Sequence, residues 1–186
     1  MSCKALIGHA NYVNMAVPNS HSSSSKIAGA SPLFLREAEI RRGVELLYFG
    51  YSHLTRVIDS DLASKGLGRA HHRALYFIAR QPGLTVSELL KLLAITKQSL
   101  GRVINELIAR DLVATNPGKT DRRQKLLTLT IAGRALEAEL FDALRQRLGA
   151  AYGKAGQSAV TGFWHVLEGL IPNDDISRVV ALQRED

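Results

Sequence analysis

Polar side chains between residues 97 and 105 have the chemistry to form paired hydrogen bonds with flat partners. The amides of Gln98 and Asn105 can pair bidentately with adenine, and the guanidinium of Arg102 with guanine, in a DNA major groove. Lys97 adds a positive charge. Ser99 and the amides that begin a helix suit phosphate oxygens. These residue types predict contact with duplex nucleic acid if one surface presents them together.

An amphipathic helix supplies such a surface. Apolar residues recur at helical spacing after Thr96, a predicted N-cap, so the polar side chains lie on the opposite face. A shorter helix precedes it, because Thr85 and Glu88 have the spacing of a capping box ahead of a run of leucines. Two short helices joined by a few residues are typical of a helix-turn-helix. The apolar face comprises Leu100, Val103, Ile104, Leu107 and Ile108.

After Asp111 the apolar residues no longer recur at helical spacing, and the sequence becomes typical of β-strands. A strand is expected at Leu112–Thr115, a turn at residues 116–118 and a second strand at 124–130. The tip between the strands is Lys119–Arg122. A hairpin that directly follows the second helix makes this a winged helix-turn-helix. One face of the second strand carries Lys125, Leu127 and Leu129.

Positive charge concentrates in the same stretch. The chain has 24 Lys and Arg against 17 Asp and Glu, a net charge of +7. Seven basic and three acidic residues lie between Thr96 and Thr130, so this stretch carries +4 of that excess. A nucleic-acid partner is favoured, the alternative being that these cations only solvate a surface. The basic residues are Lys97, Arg102, Arg110, Lys119, Arg122, Arg123 and Lys125.

The hairpin and its flanks resemble the wing signature of the MarR family. In that family Gly-Leu-Val leads into the wing, Asp-x-Arg or Asp-Arg-Arg forms the tip, and Leu-Thr-x-x-Gly leads into the next helix. Asp111 stands where glycine is usual, and Ala94–Ser99 is similar to the start of the recognition helix. The resemblance covers residues 33–171. The matching segments are Leu112-Val113, Thr120-Asp121-Arg122-Arg123-Gln124-Lys125 and Leu127-Thr128-Leu129-Thr130-Ile131-Ala132-Gly133.

The resemblance implies a homodimer that represses transcription by occupying a pseudo-palindromic operator in double-stranded DNA. Each recognition helix would enter a major groove. Arg122 or Arg123 would enter the adjacent minor groove, oriented by Asp121. Half-sites would lie about one helical turn apart. The residues expected to contact DNA are Thr85, Thr96, Lys97, Gln98, Ser99, Arg102, Asn105, Lys119, Asp121, Arg122, Arg123 and Lys125.

The predicted fold class is mainly α with a small β-hairpin wing, a winged helix-turn-helix between long N- and C-terminal dimerisation helices. The expected divisions are a disordered Ser-rich tail over residues 1–30, a first dimerisation helix over 31–66, the winged domain over 67–131, dimerisation helices over 132–172 and a tail over 173–186.

The predicted helices have specific limits. The first runs from Pro32 to Lys65 without a break, and the next occupies Arg69–Arg80. A helix capped by Thr130 runs through Leu148, where small residues at 149–156 interrupt it. Ser158–Leu170 is expected to be the last helix.

A small aromatic or anionic effector is implied by the same resemblance, bound between the dimerisation helices and the winged domain. Such a ligand would hold the two winged domains at a spacing that mismatches successive grooves. The sharpest hypothesis is an anionic ligand held by Arg56 together with a histidine. The candidate ligand contacts are Tyr51, His53, Arg56, His72 and Tyr76.

Other kinds of site are not indicated. Cys3 is the single cysteine, which excludes a disulfide framework and favours the cytoplasm, where the protein would be associated with the nucleoid. No apolar run is long enough to cross a membrane. No metal or other cofactor is expected, because adjacent His71 and His72 diverge by about 100° on a helix and lack completing ligands.

No nucleophile elbow, phosphate-binding glycine loop or pair of carboxylates is present in the sequence, so an enzyme is not expected. Two alternatives stay open. One is a winged-helix protein–protein interaction module without DNA binding. The other is a ligand-binding or redox protein that uses Cys3 or the histidines.

Overall fold

The computed structural model describes residues 32–118 and 123–183. They form helices and a small antiparallel sheet, which confirms the predicted fold class. The predicted N-terminal tail over residues 1–30 and the wing tip Lys119–Arg122 lie outside the described residues. The elements are a 3-10 helix Pro32–Leu35, α1 Glu37–Arg56, α2 Asp59–Ser64, α3 Arg69–Arg80, β1 Leu84–Thr85, α4 Val86–Leu93, α5 Lys97–Ala109, β2 Val113–Pro117, β3 Lys125–Leu129, α6 Ile131–Ala155, α7 Gln157–Gly169 and α8 Asn173–Gln183.

The chain divides into two compact units, Met1–Arg42 and Gly43–Asp186. In the described part of the first unit, the guanidinium of Arg41 donates to the Glu37 carboxylate at 2.6 Å, one helical turn away. This exposed pair contributes little stability, because both side chains are largely hydrated. The second unit contains the sheet and the hydrophobic core.

The sheet has strand order β1-β3-β2 and is antiparallel throughout. In the wing, Val113 pairs with Leu129 and Thr115 with Leu127. Leu127 and Leu129 face the core, as the alternating pattern predicts, whereas Lys125 is exposed. Strand β1 was not predicted, because two residues are too few to show a period. The predicted turn at residues 116–118 is partly wrong, since Pro117 still pairs with Lys125.

One hydrophobic core joins the helix-turn-helix to the sheet and to the first half of α6. Burial of large aliphatic side chains is the main stabilising contribution to such a unit, at about 1.5–3 kcal/mol for each. Ile108 was predicted to belong to this core. It lies at the edge of the face instead and remains 39% exposed. The fully buried members include Ile58, Leu62, Leu75, Ile78, Leu89, Leu100, Leu107, Leu127 and Leu140.

The prediction of one unbroken helix from Pro32 to Lys65 is wrong. Helix α1 ends at Arg56 and α2 begins at Asp59. Ile58, in the turn between the two helices, is buried in the core, whereas no residue of α1 is buried, so the chain first enters the core where α1 has ended. Near the break, the hydroxyl of Thr55 donates to the carbonyl oxygen of Tyr51, a back-bond that tends to bend helices. The carboxylate of Asp59 then accepts two bonds from Arg69.

The C-terminal half also departs from expectation. Helix α6 does not stop at Leu148 but continues through the small residues to Ala155. It ends where Gly156 adopts a φ of +81°, a value that few other residues adopt. A further helix, Asn173–Gln183, occupies most of the predicted C-terminal tail. Its half-buried residues, such as Ile176 and Val179, recur at helical steps over too short a run to be detected.

Candidate nucleic-acid interface

Helix α5 is held by a defined start and a buried face. The hydroxyl of Thr96 accepts a hydrogen bond from the backbone N–H of Ser99 at 3.2 Å and donates to the Ser99 hydroxyl at 2.9 Å. Leu100 and Leu107, on the side of the helix that faces the core, are fully buried. The cap fixes where the helix begins and the core fixes its rotation, so together they set which side chains point outward.

The outward face of α5 carries the four side chains singled out in the sequence. Lys97, Gln98, Arg102 and Asn105 are all exposed. Gln98, Arg102 and Asn105 lie opposite the buried stripe, and Lys97 lies beside it in the first turn of the helix. The structure therefore brings them together on one surface. This surface offers amide and guanidinium groups that can pair with base edges.

Helix α4 begins with the predicted capping box. The backbone N–H of Glu88 donates to the Thr85 hydroxyl at 3.2 Å, and the Glu88 carboxylate accepts from the Thr85 backbone N–H at 2.8 Å. These bonds, chiefly the one from the backbone, lower the pKa of Glu88. The hydroxyl of Thr85 is occupied in this box, since it also donates to Glu88 at 2.7 Å. The turn that follows contains Ala94 with a φ of +50°.

The described part of the wing presents two of its predicted cations. Lys125, the first residue of β3, and Arg123, two residues before it, are both exposed. Just before the tip, the backbone N–H of Gly118 donates to the carbonyl oxygen of Gln124 at 2.9 Å and closes the ladder. The remaining wing candidates, Lys119, Asp121 and Arg122, lie outside the described residues.

The root of the wing is where residues 111–112, before β2, meet residues 130–133, after β3. Close contacts that the sequence did not predict hold these two segments together. The Thr130 hydroxyl donates to the Asp111 carbonyl oxygen at 2.6 Å and accepts from the Gly133 N–H at 2.9 Å. A Cβ on Gly133 would lie 1.9 Å from the Leu112 carbonyl oxygen, so only glycine fits there. Asp111 adopts a φ of +55°, which accounts for the glycine that the MarR signature has at this place.

Arg110 was counted among the basic residues of the interface, but its guanidinium has a structural role. It donates to the carbonyl oxygens of Lys65 and Gly66, the latter at 3.2 Å. These carbonyls follow α2, so Arg110 ties the end of α5 to the segment between α2 and α3. Cations commonly stabilise unsatisfied carbonyls in this position.

His71, which the sequence suggested only as a metal ligand to be rejected, positions two helices relative to each other. Its Nδ1 accepts from the backbone N–H of Gly68 at 3.0 Å, so the ring proton belongs on Nε2. Nε2 lies 2.7 Å from the carboxylate of Glu106 on α5. The start of α3 and the recognition helix are thereby joined through one imidazole. The signal in the sequence was the histidine three residues after Gly68, the position of a capping partner.

A cavity of about 450 Å³ lies between α1, α3 and α6 within the second unit. Three of the predicted ligand contacts, Tyr51, His72 and Tyr76, line it. His53 lines a neighbouring cavity of about 490 Å³ instead, and Arg56 lines neither. The other residues around the first cavity are Leu54, Thr55, Arg73, Phe77, Phe141, Leu144, Arg145, Leu148, Gly149 and Tyr152.

His72 stands out in this cavity. Only 8% of the residue is exposed, and its Nε2 has no hydrogen-bond partner among the residues that the structure describes. Burial lowers the pKa of His72, and the positive charge of Arg73 adds to the effect. The ring is therefore neutral at physiological pH and can still make one hydrogen bond.

No helix in ranges 32–118 and 123–183 is both long and apolar enough to span a bilayer. Over the same ranges, no group of three or more His, Cys, Asp or Glu side chains is arranged to hold a metal ion. Cys3 lies outside these ranges.

Comparisons with known proteins agree with this geometry. A model described as MarR family matches residues 65–124. The HTH-type transcriptional regulator PetP of Rhodobacter capsulatus is 46% identical over 143 residues, 77% of this chain and 86% of that protein. A mutant MarR of E. coli complexed with operator DNA has a TM-score of 0.58, at 24% identity over 76% of this chain and 100% of that one.

Another solved structure is that of Bordetella bronchiseptica BpsR, whose DNA binding is regulated by 6-hydroxynicotinic acid. It gives a TM-score of 0.56 at 25% identity and covers 69% of this chain and 98% of that one. The identity to PetP extends over most of both chains, and the solved structures share the winged helix-turn-helix. The chain belongs to the MarR family of helix-turn-helix transcriptional regulators.

Proposed function

We propose that this protein is a repressor that binds a pseudo-palindromic operator in double-stranded DNA as a homodimer and releases it when a small effector binds. The single observation that carries the DNA-binding part is the outward face of α5. It presents Gln98, Arg102 and Asn105 to solvent while the capped start and the buried stripe fix their direction. Each α5 enters a major groove and pairs these side chains with base edges.

The wing supplies the second contact. Arg123 and Lys125 are exposed at the end of the hairpin, and the sequence adds Lys119 and Arg122 at the tip. Cations inserted into a narrow minor groove are favoured by its negative potential. The wing therefore contacts the minor groove beside each recognition helix, with Asp121 orienting an arginine. Such a protein works on the nucleoid, in the cytoplasm.

Exposed apolar side chains support a homodimer. No residue of α1 or α7 is buried within this chain, although both carry large aliphatic and aromatic residues. Leu46 is 63% exposed and Val166 60%. Many large exposed apolar side chains concentrated on two helices indicate an interface. A second copy covers it and sets the spacing of the two recognition helices. The exposed set in the second unit includes Val44, Leu46, Leu47, Phe49, Tyr51, Phe163, Trp164, Val166 and Leu170.

The cavity around His72 fits an aromatic acid. Its volume of about 450 Å³ lies within the usual range for small-molecule sites. The rings of Tyr76 and Phe141 provide apolar walls, while Arg73 supplies positive charge. The guanidinium of Arg145, which also lines the cavity, is paired with the Asp142 carboxylate. The buried His72 Nε2 offers one hydrogen bond to a ligand. The cavity lies between α1 and α6 on one side and α3 on the other, so a bound ligand fixes the winged domain relative to these helices.

DNA binding is tested by fluorescence anisotropy on fragments of the upstream region and on a random-sequence pool, across salt concentrations. We expect specific, salt-sensitive binding by the wild type. Arg102→Ala should lower specific affinity by roughly 5- to 100-fold, because a bidentate base contact is lost. Arg42→Ala, which removes an exposed arginine from α1, is the matched control and should bind as the wild type does. Equal binding by both variants, or no specific binding by the wild type, contradicts the proposal and favours the interaction module.

The dimer is tested by sedimentation equilibrium. Val166→Asp places a charge in the proposed interface and should produce monomers, since an unpaired buried charge is costly. His165→Asp changes the exposed neighbouring position and should leave the mass unchanged. A monomeric wild type, or a Val166→Asp variant that remains dimeric, contradicts the proposed interface.

The effector site is tested with 6-hydroxynicotinic acid and a series of hydroxybenzoic acids as probes. We expect at least one to raise the melting temperature and release DNA from the wild type. Leu144→Trp fills the cavity and should remove both responses while DNA binding is retained. A Leu144→Trp protein that still responds fully shows that the ligand binds elsewhere.

A further inference from the structure

Gly101 lies in the middle of the recognition helix α5, where neither the backbone nor the packing requires a glycine. Its φ is not among the positive values of the described residues, so its backbone is one that any residue adopts. A Cβ built at this position meets nothing within 4 Å. Gly133 is the opposite case, because a Cβ there would collide with a carbonyl oxygen. The fold itself would accept alanine at position 101.

Glycine at this position weakens the helix. Apart from proline, glycine is the least favourable residue in a helix interior, and alanine is the most favourable. Helix α5 is only 13 residues long, and its orientation determines where the outward side chains point. Other helical glycines, Gly153 among them, also have open space around a built Cβ. Gly101 differs from them because it lies in the helix that the proposed function places against DNA, so its cost to this helix indicates a requirement of the bound DNA.

The neighbours of Gly101 on the surface of α5 indicate which chemical group of the DNA it faces. It follows Lys97 by one helical turn and precedes Asn105 by one turn, so it lies on the strip that these two exposed residues share. Ile108, two turns after Gly101 on the same strip, is an exposed apolar residue. The strip therefore combines a missing side chain with apolar surface beside base-reading groups. This chemistry suits an apolar group on DNA better than a phosphate.

We infer that Gly101 is a specificity-determining residue, at which the bare helix backbone packs directly against a thymine methyl group in the major groove. The C5-methyl of thymine is the apolar feature of the major-groove edge. A Cβ at position 101 would occupy the space that the methyl group needs and hold α5 away from the bases. This inference rests on the proposed operator binding.

The test pairs a protein substitution with a DNA substitution. Gly101→Ala should raise the melting temperature by about 2–4 °C, because it removes a helix-weakening residue. It should also lower affinity for the operator by about tenfold, while affinity for random DNA stays unchanged. In the operator, replacing each thymine by uracil in turn removes one methyl group. The wild type should lose affinity at one position in each half-site, and Gly101→Ala should be insensitive there.

Gly153→Ala is the matched control, since Gly153 is also helical with nothing within 4 Å of a built Cβ, although it is exposed whereas Gly101 is half-buried. It should gain similar thermal stability and keep wild-type operator affinity and dimer mass. Wild-type operator affinity in Gly101→Ala, or a uracil scan without a sensitive position, overturns the inference while leaving the proposed function intact. Absence of specific binding by the wild type overturns the proposed function itself.

Discussion

The imidazole of His71 connects two helices, since its Nε2 lies 2.7 Å from the Glu106 carboxylate of the recognition helix while its Nδ1 accepts from the N–H of Gly68. The histidine is largely enclosed, with 13% of its side chain exposed, whereas half of the Glu106 side chain is exposed. The bond therefore holds a carboxylate on the flank of α5 toward α3. Glu106 is the one acidic residue of this helix, and the bond keeps it beside α3.

Substitution of this pair should show a measurable coupling. His71→Ala removes both bonds, whereas Glu106→Ala leaves the bond to Gly68, so the histidine variant should lose more stability. We expect about 1 kcal/mol for His71→Ala in urea unfolding, with a coupling of about 0.5 kcal/mol in the double-mutant cycle. The exposed pair Arg41 and Glu37 serves as the control cycle and should couple more weakly. Equal losses from the two single variants would contradict the two-bond role of His71.

Two glycines of α6 should respond oppositely to alanine. Gly133→Ala places a methyl group against the Leu112 carbonyl, and overpacking of this kind costs about 3 kcal/mol. Gly153→Ala meets no neighbour and should stabilise the helix by roughly 0.5–1 kcal/mol. Thermal and urea unfolding of both variants check the signs. A Gly133→Ala protein as stable as the wild type would mean that the root of the wing can separate from α6.

Ala94 offers a substitution to glycine that should stabilise the protein. Its φ of +50° places the Cβ in a strained position that costs about 1–2 kcal/mol. Ala94→Gly should therefore raise the free energy of unfolding by roughly 0.5–1 kcal/mol, since part of the relief is offset by greater freedom of the unfolded chain. Ala138→Gly, on the exposed side of α6, should lower it by about 1 kcal/mol. If both substitutions destabilise the protein equally, strain at Ala94 is not significant.

Stability should fall as the pH decreases through the range of an ordinary histidine. Burial holds the pKa of His72 below its usual 6.5 in the folded protein. Below pH 6.5 the unfolded chain takes up a proton at His72 that the folded chain does not. The free energy of unfolding then decreases, by at most about 1.4 kcal/mol per pH unit for this group. The decrease ends once the pH is below the folded pKa.

Urea unfolding at several values between pH 8 and pH 5 measures this dependence. His72→Phe should reduce the slope, because the ring that resists protonation is gone. His165→Gln, on the exposed side of α7, is the control and should retain the slope. A wild type whose stability is constant over this range would contradict the buried, neutral state of His72.

The sequence predicted the elements that carry strong periodicity and local capping. The start of α5 at Thr96 and the box between Thr85 and Glu88 are bonds between residues three apart, so their residue types are sufficient to indicate them. The outward placement of Gln98, Arg102 and Asn105 follows from the same periodicity, because the core stripe fixes the rotation of the helix.

Features that depend on distant contacts were not predictable in this way. The break before Asp59 coincides with the burial of Ile58 among other elements, and the apolar residues of α8 recur at helical steps over too short a run to indicate a helix. The roles of Arg110 and His71 require partners 45 and 35 residues away. The ligand contacts predicted by position alone were divided between two cavities, because the direction of each side chain depends on how α1 and α6 pack.

The close contact between Gly133 and Leu112 couples the start of helix α6 to the wing. The helix has 25 residues and is therefore roughly 37 Å long. Its first turn meets the wing root without room for a methyl group, so the two cannot slide past each other. Phe141 and Leu144, which line the cavity, lie two to three turns further along the same helix. A ligand that tilts α6 at the cavity is therefore expected to move the hairpin with it.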